Sequence, residues 1–340
     1  MSTHIAINGF GRIGRLVFRQ LMERAGGEGA VQVVAINDIA PLDNLAYLLR
    51  FDSAQRVPDA TIEVRHDVLT WNGHEVAYLD EKDPSALPWG DRNVEVVVES
   101  SGIFTHRDEA AKHLEAGAKR VVITAPAKGD VVTICPGVND GMYDPDRDQI
   151  VSNASCTTNC LAPVAKVLHD RFGIEQGALT TVHGYTTSQG IVDSPAKKWR
   201  RGRAGAVNIV PTSTGAAVAT TSVLPELAGK LDGMAMRVPV ITGSVIDFVA
   251  TTQQRVTPEE VNDAFREAAR GAMQGILGVS DDELVSSDII GNPLSALVDA
   301  PSTMCFGEHM VKVIAWYDNE WGYACRVADW VEHIAKHRTA

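Results

Sequence analysis

The sequence predicts an α/β protein of two domains: a doubly wound, mostly parallel sheet first, then an α+β domain on a mixed or antiparallel sheet. Three observations carry this reading. Short β-branched runs alternate with amphipathic helical stretches through roughly the first 150 residues, the pattern of successive βαβ units. A glycine-rich turn, Gly9-Phe10-Gly11-Arg12-Ile13-Gly14, joins the first strand to the first helix. Longer β patterns, Ser244 to Thr252 and His309 to Trp316, lie in the second half. A length of 340 residues suits two domains, and 45% hydrophobic residues can fill two cores.

Composition excludes several classes. The net charge of −12 argues against nucleic acid or a membrane surface as the main partner. Cysteines at positions 135, 156, 160, 305 and 325 form no disulfide framework and lack zinc-ligand spacing, so no metal is expected. Free thiols fit a reducing, cytoplasmic setting. The chain opens directly into a strand, with no signal-peptide pattern and no apolar run long enough to span a bilayer.

The first strand, His4 to Asn8, runs straight into the glycine turn. Behind it a helix buries Ile13, Leu16, Val17, Leu21 and Met22, with Gly26-Gly27 as its expected stop. A G-x-G-x-x-G placed between strand and helix lets the backbone approach a pyrophosphate at the helix N-terminus, a Rossmann-type dinucleotide site. The second strand, Val31 to Ile36, ends in Asn37-Asp38. An acidic group there bonds a ribose 2′-hydroxyl and repels a 2′-phosphate, so NAD is favoured over NADP. Trp71-Asn72-Gly73 signals a hairpin. The strand Val94 to Ser100 leads into Ser101-Gly102, whose glycine lets the backbone pass close to a cofactor, and a helix is expected from about Arg107 to Glu115. Gly11 and Asp38 both fall at carboxyl ends of strands, where open α/β sheets bind ligands.

In the second half, Cys156 stands where a buried strand end (Gln149 to Val151) turns into a helix that stops at Gly173. Ser155 or Asn153 can cap that helix. The partial positive charge of a helix N-terminus favours a thiolate, the nucleophilic form. Cys160, one turn deeper among apolar residues, reads as a buried small hydrophobe. His183 ends the strand pattern Ala178 to Val182, 27 residues after Cys156. One helix and one returning strand fill that interval, so the imidazole can pair with the sulfur and act as base and acid. The irregular stretch from Gly184 to Gly205 is long enough to be functional. It contains Lys197-Lys198-Trp199-Arg200-Arg201-Gly202-Arg203, where Arg201 suits a small phosphorylated ligand. Thr214 and Gly215 open a further helix and are placed for an anion, and Arg237 lies near the end of another strand.

The segment Ser152-Asn153-Ala154-Ser155-Cys156-Thr157-Thr158-Asn159-Cys160 closely resembles the catalytic cysteine segment of phosphorylating glyceraldehyde-3-phosphate dehydrogenases. Phe51-Asp52-Ser53, Leu87-Pro88-Trp89-Gly90, Thr180-Thr181-Val182-His183 and Trp316-Tyr317-Asp318-Asn319-Glu320-Trp321-Gly322-Tyr323 extend the resemblance along essentially the whole chain. It implies a cofactor domain over 1–152, a catalytic domain over 153–318, and a closing segment, 319–340, whose helix returns to the cofactor domain. It implies Cys156 and His183 as the catalytic pair. Asn8, Gly9, Phe10, Gly11, Arg12, Ile13, Gly14, Asp38, Ser101 and Gly102 would hold NAD, with Asn319 on the nicotinamide carboxamide and Tyr323 near the ring. Thr186 and Arg237 would hold the phosphate of glyceraldehyde 3-phosphate. Ser155, Thr157, Thr214 and Gly215 would hold inorganic phosphate, with Arg201 shared between the two sites. A homotetramer is implied as well.

Some positions depart from the family pattern. Gly184 stands where alanine is usual, Thr187-Ser188-Gln189-Gly190 is unusual, and Ser194-Pro195 replaces the Leu-Pro of strongly NAD-specific members. The expectation is therefore NAD preferred and NADP tolerated. Alternative readings on the same scaffold are an erythrose-4-phosphate dehydrogenase, or a paralogue accepting arsenate in place of phosphate. A reading from another class is a nucleic-acid-binding or structural protein that uses the Lys197–Arg203 run.

Overall fold

The computed structural model describes residues 2–24 and 31–337, so the expected Gly26-Gly27 helix stop lies outside the described residues. The chain divides into two compact units. One comprises Met1–Ile134, Gly141–Ala154 and Ala324–Ala340; the other comprises Cys135–Asp140 and Ser155–Tyr323.

The first unit contains β1 (Thr3–Asn8), α1 (Arg12–Arg24), β2 (Val31–Asn37), α2 (Leu42–Arg50), β3 (Ile62–Arg65), β4 (Val68–Trp71), β5 (His74–Leu79), β6 (Val96–Glu99), α3 (Arg107–Ala110), α4 (Lys112–Glu115), β7 (Arg120–Ile123), β8 (Val132–Thr133) and β9 (Ile150–Ser152). Their sheet has the order β3-β4-β5-β2-β1-β6-β7-β9-β8. Pairing is parallel from β5 through β8, and β3-β4-β5 is an antiparallel meander. Strand order reverses at β1, with β2 on one side and β6 on the other, and such a switch point opens a ligand crevice. Ile5, Ala6, Ile7, Val97 and Val98 are fully buried, as befits parallel strands covered on both faces. The Asn72-Gly73 turn has φ of 50° and 83°, the left-handed pair that a tight hairpin requires.

One expected helix is broken. Between Arg107 and Glu115 the chain forms two short helices, because the Leu114 N–H bonds the Ala111 carbonyl in a tighter three-residue turn. The last helix, α8 (Trp321–Lys336), enters the first unit at Ala324. There Val327, Trp330, Val331 and Ile334 are buried, the Trp330 ring meets Tyr143 edge-on at 5.2 Å, and Asp329 pairs with Arg24 at 2.6 Å.

The second unit holds α5 (Cys156–Phe172), β10 (Ile174–Gly184), β11 (Val210–Ser213), α6 (Ala216–Val223), β12 (Leu231–Val238), β13 (Ser244–Thr252), α7 (Pro258–Arg270), β14 (Leu277–Ser280), β15 (Ala296–Asp299), β16 (Met304–Phe306) and β17 (Met310–Tyr317). The sheet order is β11-β12-β10-β13-β17-β15-β14, with β16 also paired to β17. The sheet is mixed: β10–β12 and β14–β15 are parallel and the rest antiparallel. Helix α5 buries Cys160, Leu161, Ala162, Val164, Ala165 and Leu168 completely. The Thr257 hydroxyl accepts the Glu260 N–H at 3.2 Å to cap α7, as the Thr-Pro-Glu-Glu sequence leads one to expect. The segment Cys135–Asp140 belongs to this unit because Gly137 (φ +79°) sits so close to Ile276 that a Cβ there would approach Cγ1 to 2.7 Å.

Candidate active site

Cys156 is the first residue of α5. Ser155, in extended conformation, accepts the Thr158 N–H on its hydroxyl at 3.1 Å and so caps the helix; Asn153 does not fill that role. The Cys156 sulfur is 3.4 Å from Nε2 of His183, which stands at the next-to-last position of β10. Cys156 is half-buried. Cys160 is fully buried with its sulfur 3.8 Å from the Ala315 carbonyl, and burial raises its thiol pKa well above the ordinary range.

The electrostatics refine the expected thiolate. Burial pushes the Cys156 thiol up from its ordinary value. The Arg237 guanidinium and hydrogen bonds from Thr157 and from the Cys156 amide pull it back down. The sulfur and the imidazole are close enough for a proton to pass between them. Burial pushes His183 down to about 3, Arg237 and Arg201 add to this, and the Gly184 carbonyl opposes it. The ring is neutral near pH 7 and free to act as a base. Nδ1 lies between the Gly184 carbonyl, an acceptor at 2.7 Å, and the Arg237 guanidinium, which can only donate; a proton on Nδ1 is given to the carbonyl and leaves the Nε2 lone pair facing the sulfur, whereas acceptance from Arg237 puts the ring proton on Nε2. Arg237 sits opposite His183 in the parallel β10–β12 register. Its guanidinium lies 2.6 Å from Nδ1 and donates to the Gly184 carbonyl at 2.8 Å.

Tyr317, at the end of β17, ties together the helix that carries Cys156 and the strand that carries His183. Its hydroxyl bonds Thr157 of α5 and Thr181 of β10, each at 2.9 Å, and its ring lies edge-on to His183 at 5.9 Å. Asn319 is held through its carbonyl by Ser244 (2.7 Å) and Thr242 (3.3 Å), which leaves its amide N–H groups for a ligand. Ser244 also accepts the Gly184 N–H at 3.1 Å, so Asn319 and the end of the histidine strand share one hydroxyl.

The candidate phosphate groups are less uniform. Arg201 donates to Thr212 at 3.0 Å and reaches the Ser213 carbonyl at 3.5 Å; its charge is felt at both His183 and Arg237. Gly215 ends the turn into α6, and a Cβ there would meet nothing within 4 Å, so an anion can approach its backbone. The Thr214 hydroxyl accepts the Ala216 N–H at 3.2 Å. Thr186 bonds Ser188 at 2.8 Å. The Ser155 and Thr157 hydroxyls are engaged by Thr158 and Tyr317.

The expected dinucleotide residues Asn8 to Gly14, Asp38, Ser101 and Gly102 fall in the first unit; Asn319 and Tyr323 fall in the second. The local geometry fits a dinucleotide. Gly9 (φ +89°) lies so close to Ser101 that a Cβ would come within 2.4 Å of its nitrogen, and one on Gly14 would come within 2.0 Å of the Gly9 carbonyl. Gly11 faces open space, so its backbone is accessible at the start of the 13-residue α1. The Asp38 carboxylate is oriented by the Phe10 N–H (2.7 Å) and the Ala40 N–H (2.9 Å). Arg12 is paired with Asp52 at 2.7 Å. Gly102 has φ +72°, and Tyr323 is buried.

Sequence reasoning assigned no role to Tyr317, Thr181 or Asp318. Tyr317 and Asp318 were quoted within a motif, but only the order β10-β13-β17 brings the tyrosine to the catalytic helix. The Asp318 carboxylate accepts from Thr242, Gly291, Glu320 and Trp321 and so orders the turn that carries Asn319.

Comparison with known proteins identifies the family. Residues 3–107 match the NAD binding domain of glyceraldehyde 3-phosphate dehydrogenase, and residues 155–319 match the C-terminal domain of the same family. The chain is 54% identical over 336 residues to glyceraldehyde-3-phosphate dehydrogenase 1 of Bacillus subtilis, covering 99% of both chains. It is 52% identical to the enzyme of that name from Geobacillus stearothermophilus over 98% of this chain and 99% of the relative. With the Streptomyces coelicolor enzyme it shares 49% identity over 97% of each. A capped helix end bearing Cys156, an imidazole against its sulfur and a glycine-lined dinucleotide turn thus coincide with full-length similarity: the chain belongs to the glyceraldehyde-3-phosphate dehydrogenase family.

Proposed function

We propose that this protein oxidises D-glyceraldehyde 3-phosphate to 1,3-bisphosphoglycerate, with NAD reduction and uptake of inorganic phosphate, through a thioester on Cys156. The observation that carries the reading is the 3.4 Å approach of the Cys156 sulfur to a neutral His183 beside Arg237. His183 takes the thiol proton as sulfur adds to the aldehyde carbon, and the proton passes to the new oxyanion to give a hemithioacetal. The Cys156 amide and His183 are suited to hold that oxygen. His183 then removes the hydroxyl proton as the carbon gives up hydride and the thioester forms. Bound NAD supplies the hydride acceptor. A phosphate oxygen attacks the thioester, the C–S bond breaks, and the sulfur leaves as thiolate to be reprotonated. Arg237 and Thr186 are assigned to the phosphate of the substrate. Thr214, Gly215 and Ser155 are assigned to inorganic phosphate, with Thr157 contributing its backbone and Arg201 its charge.

The alternatives of erythrose 4-phosphate or arsenate as substrate draw no support from the three relatives described above, which are named for glyceraldehyde 3-phosphate. Asp38 favours NAD over NADP, with NADP tolerated because Ser194 replaces the family leucine. No helix among the described residues is long and apolar enough to cross a membrane, and five free cysteines suit a reducing cytoplasm. A homotetramer accounts for the irregular 184–209 segment, which exposes Ile191 (89%), Val192 (72%), Trp199 (90%), Val207 (75%) and Ile209 (67%). So much apolar surface in one segment calls for a partner.

NADH formation from glyceraldehyde 3-phosphate should depend on inorganic phosphate. Cys156→Ser should abolish it, by about 10⁴-fold or more, whereas Cys160→Ser should keep most of the activity; swapped effects would refute the helix-end assignment. Removing the Arg237 charge raises the pKa of both the thiol and the imidazole, so Arg237→Leu should move the pH profile of Cys156 alkylation to higher pH. An unmoved profile would show that the guanidinium does not tune the pair. The wild type should have the higher kcat/KM with NAD, and Asp38→Asn should narrow the NAD/NADP ratio about tenfold or more, since like-charge juxtaposition costs several kcal/mol and each 1.4 kcal/mol is about a factor of ten; a constant ratio would clear Asp38 of that role. Light scattering should give the mass of four chains, and Trp199→Asp should yield smaller species; a monomeric wild type would contradict the tetramer.

A further inference from the structure

The first unit contains a buried carboxylate that the mechanism does not use. Glu99 is the last residue of β6 and is 1% exposed. One oxygen accepts the Ser101 N–H (2.8 Å) and hydroxyl (2.5 Å); the other accepts the Asn8 amide (2.5 Å) and faces His113 Nε2 at 3.0 Å. Four donors fill the lone-pair directions of a carboxylate, so Glu99 has none left for a ligand. The histidine tautomer follows from its other neighbour. The Trp89 indole N–H, which can only donate, points at His113 Nδ1 at 3.0 Å, so the ring proton sits on Nε2 and is given to Glu99. Trp89 and His113 are themselves fully buried.

The network continues sideways. The Asn8 carbonyl oxygen accepts from the Asn37 amide at 2.6 Å, and Asn37 is further held by the backbone of Glu81. Ser100 donates to the Gly9 carbonyl at 2.6 Å. Asn8, Asn37 and Glu99 are the last residues of β1, β2 and β6, the three adjacent strands at the switch point. The residues that follow them, Gly9, Asp38 and Ser100-Ser101, form the dinucleotide cradle. An apolar side chain could fill the volume of Glu99 without the desolvation penalty of a buried charge. What the carboxylate adds is direction, because its four donors come from two neighbouring strand ends and the helix beside them.

We propose that Glu99, oriented by His113 and Trp89, is a positioning residue for NAD: it sets the relative placement of the three strand ends before the cofactor arrives. The proposal rests on the assignment of NAD to those strand ends. Calorimetric titration of the full-length protein with NAD tests it. Glu99→Gln keeps the shape but presents an N–H₂ toward donors, and Glu99→Met keeps the volume. Both should weaken NAD binding about tenfold or more, while turnover at saturating NAD stays within about threefold and the alkylation rate of Cys156 is unchanged. Val97→Ala, a fully buried core change in the same strand, should leave NAD affinity within about twofold despite lowering the melting temperature. Glu99 variants that bind NAD like the wild type, or a Val97→Ala loss equal to theirs, would overturn the proposal. If the Glu99 variants do not fold, Trp89→Phe removes the indole N–H and keeps an aromatic ring; about threefold weaker NAD binding is expected, and unchanged affinity would overturn the proposal. A wild type that fails to bind NAD would instead overturn the cofactor assignment beneath it.

Discussion

The contact between the Cys156 sulfur and His183 Nε2 is the constraint on which the catalytic unit is built. It requires the first residue of a helix to meet the far end of the strand that follows it. Helix α5 has 17 residues and carries the chain about 25 Å away from Cys156; β10 brings it back about 30 Å to His183. Gly173 makes the reversal in a left-handed conformation (φ +71°). Near-equal lengths of helix and returning strand bring the ends together, but only packing sets the distance between them. The Tyr317 hydroxyl does this by bonding Thr157, one residue after the cysteine, and Thr181, two residues before the histidine. Both side chains are thereby referred to a third strand, β17, whose own register is fixed through eight paired positions with β13.

The charges around this contact follow from the same geometry. In a chain of net charge −12, two anions must be held close to one sulfur, so positive charge has to be concentrated locally. Arg237 and Arg201 supply it, and both bear on His183. The cations that suit a phosphorylated substrate also keep the imidazole neutral, which is the form a base needs. Burial and Arg237 act on the thiol in opposite directions, and His183 stands within 3.4 Å of the sulfur.

Much of this was legible in the sequence because local rules mark it. Gly9 and Gly11 lie between a strand and a helix and Gly14 in that helix's first turn; Asp38 follows the second strand; Ser155 and Cys156 open a helix. Each was readable within about ten residues of chain. The fold class was readable for the same reason, since alternating strand and helix patterns imply parallel pairing. What was hidden depends on sheet order. Arg237 is opposite His183 only because β12 pairs in parallel with β10 across 54 residues of sequence, and no local pattern states that register. Tyr317 is likewise placed by its neighbours, and the break at Ala111 turns on one hydrogen bond that helical periodicity does not register.

The two units share one device that firmly places the loops at their strand ends. In each, a buried carboxylate stands at the carboxyl end of a strand and is surrounded by donors from the loops around it. Glu99 ends β6 and holds Ser101; Asp318 follows β17 and receives the backbone N–H groups of Gly291, Glu320 and Trp321, framing Asn319. A buried carboxylate is costly unless its lone pairs are filled, so once filled it resists any displacement of its donors. An apolar side chain would tolerate small shifts of the same loops, because dispersion contacts are weakly directional. Loops that must present a hydroxyl or an amide to a ligand within a few tenths of an ångström are therefore better anchored by a saturated charge than by packing alone. That is why each carboxylate sits one or two residues from a side chain proposed to meet NAD, Ser101 beside Glu99 and Asn319 beside Asp318.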